Sequence, residues 1–149
     1  MSTTTLSKPS VTLQHRYKAP PARVFAAWTE PEMIVRWFGA SDAKVDTIKA
    51  ITDVRTGGRF VFSFTHDSGE HFEVNGVYKD VLPNEKLVFS WAWHSTPERE
   101  SQVTVITRPD GTGTLLTLIH EQLFDQATAD NHKRGWTKML DNIASWLDH

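Results

Sequence analysis

Turn signals recur through the middle of this chain at short intervals: TGG at 56–58, HDSGE at 66–70, PNE at 83–85, STPE at 95–98 and PDGTG at 109–113. Between them lie stretches that read as strands, at about 45–54, 58–66, 70–81, 86–94, 101–108 and 113–120. Connections this short join neighbouring antiparallel strands, so a meander is expected. Side chains alternate across a strand. Leu87, Phe89, Trp91 and Trp93 therefore share one face, and Ser90, Ala92 and His94 share the other. Phe60, Phe62 and Phe64 likewise share a face of their strand. A sheet with one apolar and one more polar face must be covered on the apolar side.

The cover is expected at the C-terminus. From about Asp125 to Leu147 the apolar residues return at helical period, and His132, Trp136, Met139, Leu140, Ile143, Trp146 and Leu147 fall on one stripe. Gly135 interrupts this helix at a cost of about 1 kcal/mol relative to Ala. Such a glycine implies close approach of another element or room for a ligand. At the other end, Val11–Ala19 alternates as a first strand and Pro20–Pro21 ends it. Pro is tolerated in a first helical turn, so a helix is expected from near Pro21, with Val24, Phe25 and Trp28 as its stripe. Thr29 and Glu32 fit a capping box around Pro31, which predicts a second helix carrying Met33, Ile34 and Trp37 and ending at Gly39. Two helices this short are marginal alone. Trp28 and Trp37 are expected to anchor them as a plug against the sheet and the long helix.

Composition removes several classes of function. At 149 residues the chain suits one domain, read as a frayed Ser/Thr-rich tail over 1–10 followed by a single domain over 11–149. A net charge of −2, with no basic run, argues against nucleic acid as a partner. With no cysteine there is neither a disulfide framework nor a thiolate metal site. No apolar run reaches the length of a signal peptide or a membrane span, so the cytosol is the expected compartment and membrane insertion is not expected. The aromatic content, six Trp and eight Phe against two Tyr, suits either a large core or a lined pocket.

Several stretches together resemble a known family: APPARVFAAWTEPEMIVRWFG at 19–39, DVRTGGRF at 53–60, GVYKDVLPNEKLVFSW at 76–91, and HEQLF at 120–124 with HKRGWTKML at 132–140. They are similar to the bacterial homologues of the activator of heat shock protein 90 ATPase, within the START-like, Bet-v-1-like superfamily. The resemblance runs from about Val11 to Leu147. It implies an α+β helix-grip fold, β-α-α-β6-α, in which a curved antiparallel sheet holds the C-terminal helix and leaves an apolar cavity. It further implies a small apolar or amphipathic molecule as ligand, with a chaperone partner or a cyclase or hydrolase activity as the alternatives. The separate N-terminal domain of the eukaryotic co-chaperone has no counterpart expected in this chain.

On that fold the expected cavity lining is Trp37, Phe60, Phe62, Phe64, Phe72, Trp91, Trp93, Val103, Val105, His132, Trp136, Met139 and Leu140. The competing reading is that these side chains meet and leave no void, because interiors pack densely. His120 and Glu121 at the end of the last strand, with His132 on the long helix, are the candidates for acid–base chemistry. Their alternative is a buried, hydrogen-bonded histidine that fixes the strand-to-helix connection. RTGGRF feeds a strand rather than a helix N-terminus, so a bend at Gly57–Gly58 is expected instead of a phosphate loop, with Arg55 and Arg59 flanking it. His66 and His71 lack the spacing of a zinc site. There is no G-x-S-x-G nucleophile elbow. No metal, cofactor or catalytic nucleophile is expected.

Overall fold

The structure, a computed structural model, describes residues 8–38 and 45–148. The expected cap at Gly39 and most of the expected N-terminal tail lie outside those residues. Strand β1 (Val11–Tyr17) is followed by helices α1 (Pro21–Thr29) and α2 (Pro31–Ile34). A single 3-10 turn at Val45–Thr47 leads into β2 (Lys49–Thr52), β3 (Arg59–Thr65) and β4 (His71–Leu82). Then come β5 (Lys86–Trp93), β6 (Ser101–Asp110), β7 (Gly113–Glu121) and the long helix α3 (Gln126–Leu147).

The strands form one seven-stranded sheet in the order β1-β7-β6-β5-β4-β3-β2, antiparallel throughout. Consecutive hairpins account for β2 to β7. The first strand is the exception and closes on the last, with Val11 opposite His120 and Tyr17 opposite Thr114. The curved sheet holds α3 on its apolar face, as the helix-grip fold requires. Asp125 caps α3 by accepting from the Thr128 amide at 2.8 Å. The helix buries Ala129, Trp136, Leu140, Ile143 and Leu147. Two bonds tie its backbone and far end to β1 and the residue after it. The Tyr17 hydroxyl donates to the Leu140 carbonyl at 3.0 Å, and the Lys18 amide donates to Asp148 at 2.9 Å.

Around the two short helices the structure corrects the sequence reading. α1 starts as expected, with Pro20 as N-cap and Pro21 in the first turn. The capping box does not form. Thr29 is still the last residue of α1, and its hydroxyl donates back to the Phe25 carbonyl at 3.2 Å. The break falls one residue later, at Glu30 (φ −90°, ψ 124°), because Pro31 bars the residue before it from helical geometry. α2 then lasts only to Ile34, and Trp37 is reached through successive turns. β2 is also shorter than the expected 45–54. Over the missing part a side chain replaces the ladder: the Thr47 hydroxyl accepts from the Thr65 amide at 2.9 Å.

The plug is held by its tryptophans. The Trp37 indole N–H donates to the Ala27 carbonyl at 2.7 Å, and its ring lies 4.9 Å from Trp28. Trp28 in turn lies 5.6 Å from Trp136 of α3. Phe38 meets Phe62 at 5.4 Å and Phe64 at 5.5 Å on β3. The RTGGRF stretch is a bend. Gly57 has φ +90°, and a Cβ on Gly58 would lie 1.9 Å from the Asp53 carbonyl oxygen.

Candidate ligand-binding groove

A groove of about 440 Å³ opens between α3 and the sheet, lined by Phe64, Phe72, Trp91, Trp93, Ser95, Thr96, Asn131, His132, Gly135, Trp136 and Met139. Its walls follow from two periodicities. Trp91 and Trp93 are two apart on β5 and share the inner face, and Phe64 lies directly opposite Phe72 in the β3–β4 register. On α3, positions 132, 135, 136 and 139 are three and four apart and share one side. The rings make a continuous wall. Phe64 stacks on Phe72 at 5.2 Å, Phe72 meets Trp93 at 6.5 Å, Trp93 meets Trp91 at 5.8 Å, and Trp91 meets Trp136 at 5.0 Å.

Among the expected cavity residues, Phe64, Phe72, Trp91, Trp93, His132, Trp136 and Met139 do line this groove. Trp37, Phe60, Phe62, Val103, Val105 and Leu140 do not. They are buried among other side chains, Phe60 for example against Phe62, Tyr78 and Phe89. The expected lining residues thus divide into a buried set and a set on the groove. Ser95, Thr96 and Asn131 are not among the expected lining residues: the first two belong to the STPE turn signal, and nothing in the sequence marks out Asn131.

Gly135 bears directly on the groove. Close packing does not explain it, since the one atom that a Cβ there would meet within 4 Å is the Met139 methyl, at 3.9 Å. Of the two reasons a mid-helix glycine offers, room beside the helix is the one left.

The two inner histidines are brought together, with ring centroids 4.8 Å apart. His120 is completely buried. Its Nδ1 accepts from the Trp136 indole N–H at 2.9 Å, and an indole nitrogen can only donate. The ring proton therefore sits on Nε2, which donates to the Ser101 hydroxyl at 2.7 Å, and that hydroxyl donates onward to the Trp91 carbonyl at 3.1 Å. His132 is the opposite tautomer. Its Nε2 accepts from the Trp93 indole at 3.1 Å, and its Nδ1 donates to the Thr128 carbonyl at 2.8 Å. All four ring nitrogens are occupied, and both rings are neutral. Burial, with His132 adding to it, pushes His120 down to about 3. Burial also lowers His132, against the opposing pull of its bond to Thr128.

This arrangement does not suit the acid–base role. Neither histidine can take a proton without losing a tryptophan partner. Glu121 leaves β7 on the face opposite His120, and its carboxylate accepts from Gln102 at 3.5 Å. His120 is buried and hydrogen-bonded, the geometry that the alternative reading of these residues expects. The other polar candidates are not among the groove's lining residues. Arg55 pairs with Asp53 at 3.0 Å, the His66 ring accepts from the Ser68 amide at 3.0 Å, and His71 meets the Thr65 hydroxyl at 3.3 Å. Among the described residues, no group of three or more His, Cys, Asp and Glu could hold a metal ion, and no helix is long and apolar enough to cross a membrane.

The same architecture recurs in known proteins. Protein CV1439 from Chromobacterium violaceum matches with a TM-score of 0.82 at 22% identity, over 94% of this chain and 98% of its own. The AHSA1 protein from Silicibacter pomeroyi matches at 0.78 and 24% identity, over 93% and 97%. CalU16 from Micromonospora echinospora matches at 0.69 and 28% identity, over 93% and 75%. No functionally curated protein matches the sequence. The family model described as Activator of Hsp90 ATPase homolog 1-like protein matches residues 18–148, nearly the whole domain built above. With fold and sequence pattern in agreement along that length, the chain belongs to the family of Activator of Hsp90 ATPase homolog 1-like proteins.

Proposed function

We propose that this protein binds a small apolar or amphipathic molecule in the groove between the sheet and α3. The observation that carries the reading is an aromatic groove of about 440 Å³ beside a helix whose central glycine has room for a side chain, with only the Met139 methyl within 4 Å of where its Cβ would lie. The volume falls within the range of small-molecule sites, about 300–1,000 Å³. Burial at about 25 cal/mol per Å² of apolar surface would supply most of the affinity. The histidine–tryptophan network behind the groove acts as scaffold, holding Trp93 and Trp136 in place as walls.

Trp91, Trp93 and Trp136 make the groove self-reporting. Titration with an apolar fluorophore should quench or shift tryptophan emission saturably. Gly135→Leu, which places a side chain in the groove, should weaken that binding by about tenfold or more. Undiminished binding by the variant would move the site elsewhere, and no saturable change with the parent protein would remove the reading. A chaperone-directed role, which the family description suggests, calls for an outward surface instead of the groove. If a purified Hsp90-type ATPase responds equally to the parent protein and to Gly135→Leu, the groove is not what that role uses.

A further inference from the structure

The groove walls are almost entirely aromatic rings. Phe64, Phe72, Trp93, Trp91 and Trp136 form one run of touching rings, and Met139 completes the helix side. Aromatic surfaces favour guests that can stack or meet them edge to face. No Lys, Arg, Asp or Glu is among the lining residues. His132, the titratable member, has one ring nitrogen engaged by Trp93 and the other by the Thr128 carbonyl. It offers a guest neither a charge nor a free lone pair. A charged group drawn between the rings would lose its water and meet no counter-charge among the lining residues. Arg134, which donates to Asn131, is a cation at the mouth and not one of the walls. Neutral hydrogen-bonding side chains do occur, at the mouth: Ser95 and Asn131 are exposed and Thr96 is half-buried.

Size narrows the class further. A groove of about 440 Å³ has room for roughly fifteen waters at about 30 Å³ each. Atoms of fused rings pack at least as tightly as water, so the groove has room for about fifteen ring atoms or more, enough for two or three fused rings. A two-chain lipid is far too large to be enclosed.

We propose that the occupant is an uncharged, flat molecule of two or three fused rings, with a hydroxyl or carbonyl left at the mouth beside Ser95, Thr96 and Asn131. This rests on the groove being the ligand site. Three probes at pH 7.5 test it by calorimetry and tryptophan emission: 2-naphthol, its anionic counterpart 2-naphthoate, and the uncharged chain 1-decanol. The expected result is saturable binding of 2-naphthol, weaker binding of 2-naphthoate by about tenfold or more, weaker binding of 1-decanol, and loss of 2-naphthol binding in Gly135→Leu. If 2-naphthoate or 1-decanol binds as tightly as 2-naphthol, the class is wrong while the groove stands as a ligand site. If none of the three binds, the ligand-site reading falls and the class falls with it.

Discussion

Two glycines show how differently one residue type can be used. A Cβ on Gly58 would collide with backbone 1.9 Å away, so that position admits no side chain without moving the bend. Gly135 has room for a Cβ, which would meet only the Met139 methyl, at 3.9 Å, and it carries the helix-propensity cost for no packing return. Gly135→Ala should therefore raise stability by up to about 1 kcal/mol, read as a higher urea midpoint at an unchanged denaturant slope. A loss of stability would mean that the helix needs the glycine for packing after all. The sequence showed that Gly135 was out of place but left both reasons open, because helical period says which face a residue is on and not what stands opposite. The same limit explains the cavity residues. Phe60, Phe62 and Phe64 are indistinguishable by alternation, yet of the three it is Phe64, at the end of β3, that reaches the groove, while Phe60 and Phe62 pack inside. Depth along a strand is a tertiary property with no local signature.

At the scale of elements, turn chemistry and alternation carried the reading of β3 to β7 and α3, since the strands are separated by short turns rich in Gly, Pro, Asn, Asp and Ser. The short helices were harder. Ser/Thr three residues before Glu is a capping signal, but Pro31 overrode it by fixing the break at Glu30. What stabilises α1 is its exit. The last carbonyls of a helix lack intrahelical partners. Here the Ala27 carbonyl takes the Trp37 indole N–H at 2.7 Å, and the Thr29 carbonyl takes the Thr52 hydroxyl at 3.0 Å. Trp37 thus both fills the core and caps the preceding helix. Trp37→Phe keeps most of the packing and orphans the carbonyl, for an expected loss of about 1–3 kcal/mol. Trp37→Ala removes both and should cost about 3–5 kcal/mol. Urea unfolding of the pair separates the two contributions. A Phe variant as stable as the parent would show that the indole bond adds nothing.

At the scale of the whole molecule, the closure of β1 on β7 and of α3 on the sheet converges on one buried polar network, so its titration should govern stability toward acid. His120 titrates near 6.5 in an unfolded chain and near 3 in the fold. Below 6.5 the unfolded state therefore binds a proton that the native state refuses. Stability is complete above that value and is lost as pH falls, by up to about 1.4 kcal/mol per pH unit for each such group. From pH 8 to pH 5, His120 alone should remove about 2 kcal/mol, and His132, also lowered, acts in the same direction. Asp125, held below the usual carboxylate range by its bonds from the Thr128 hydroxyl and amide, adds its loss only in stronger acid. The histidine window is thus distinct. Urea midpoints across pH 8 to 5 should fall with a proton uptake above one, while the His120 imidazole resonances of the folded protein stay at their neutral positions. His120→Gln can still accept from Trp136 and donate to Ser101 but cannot ionise. Its stability should depend on pH more weakly by about one proton over that range, whatever its stability at pH 8. An unchanged slope in the variant, or a folded His120 that titrates near 6, would show that this network is not what the fold protects from protons.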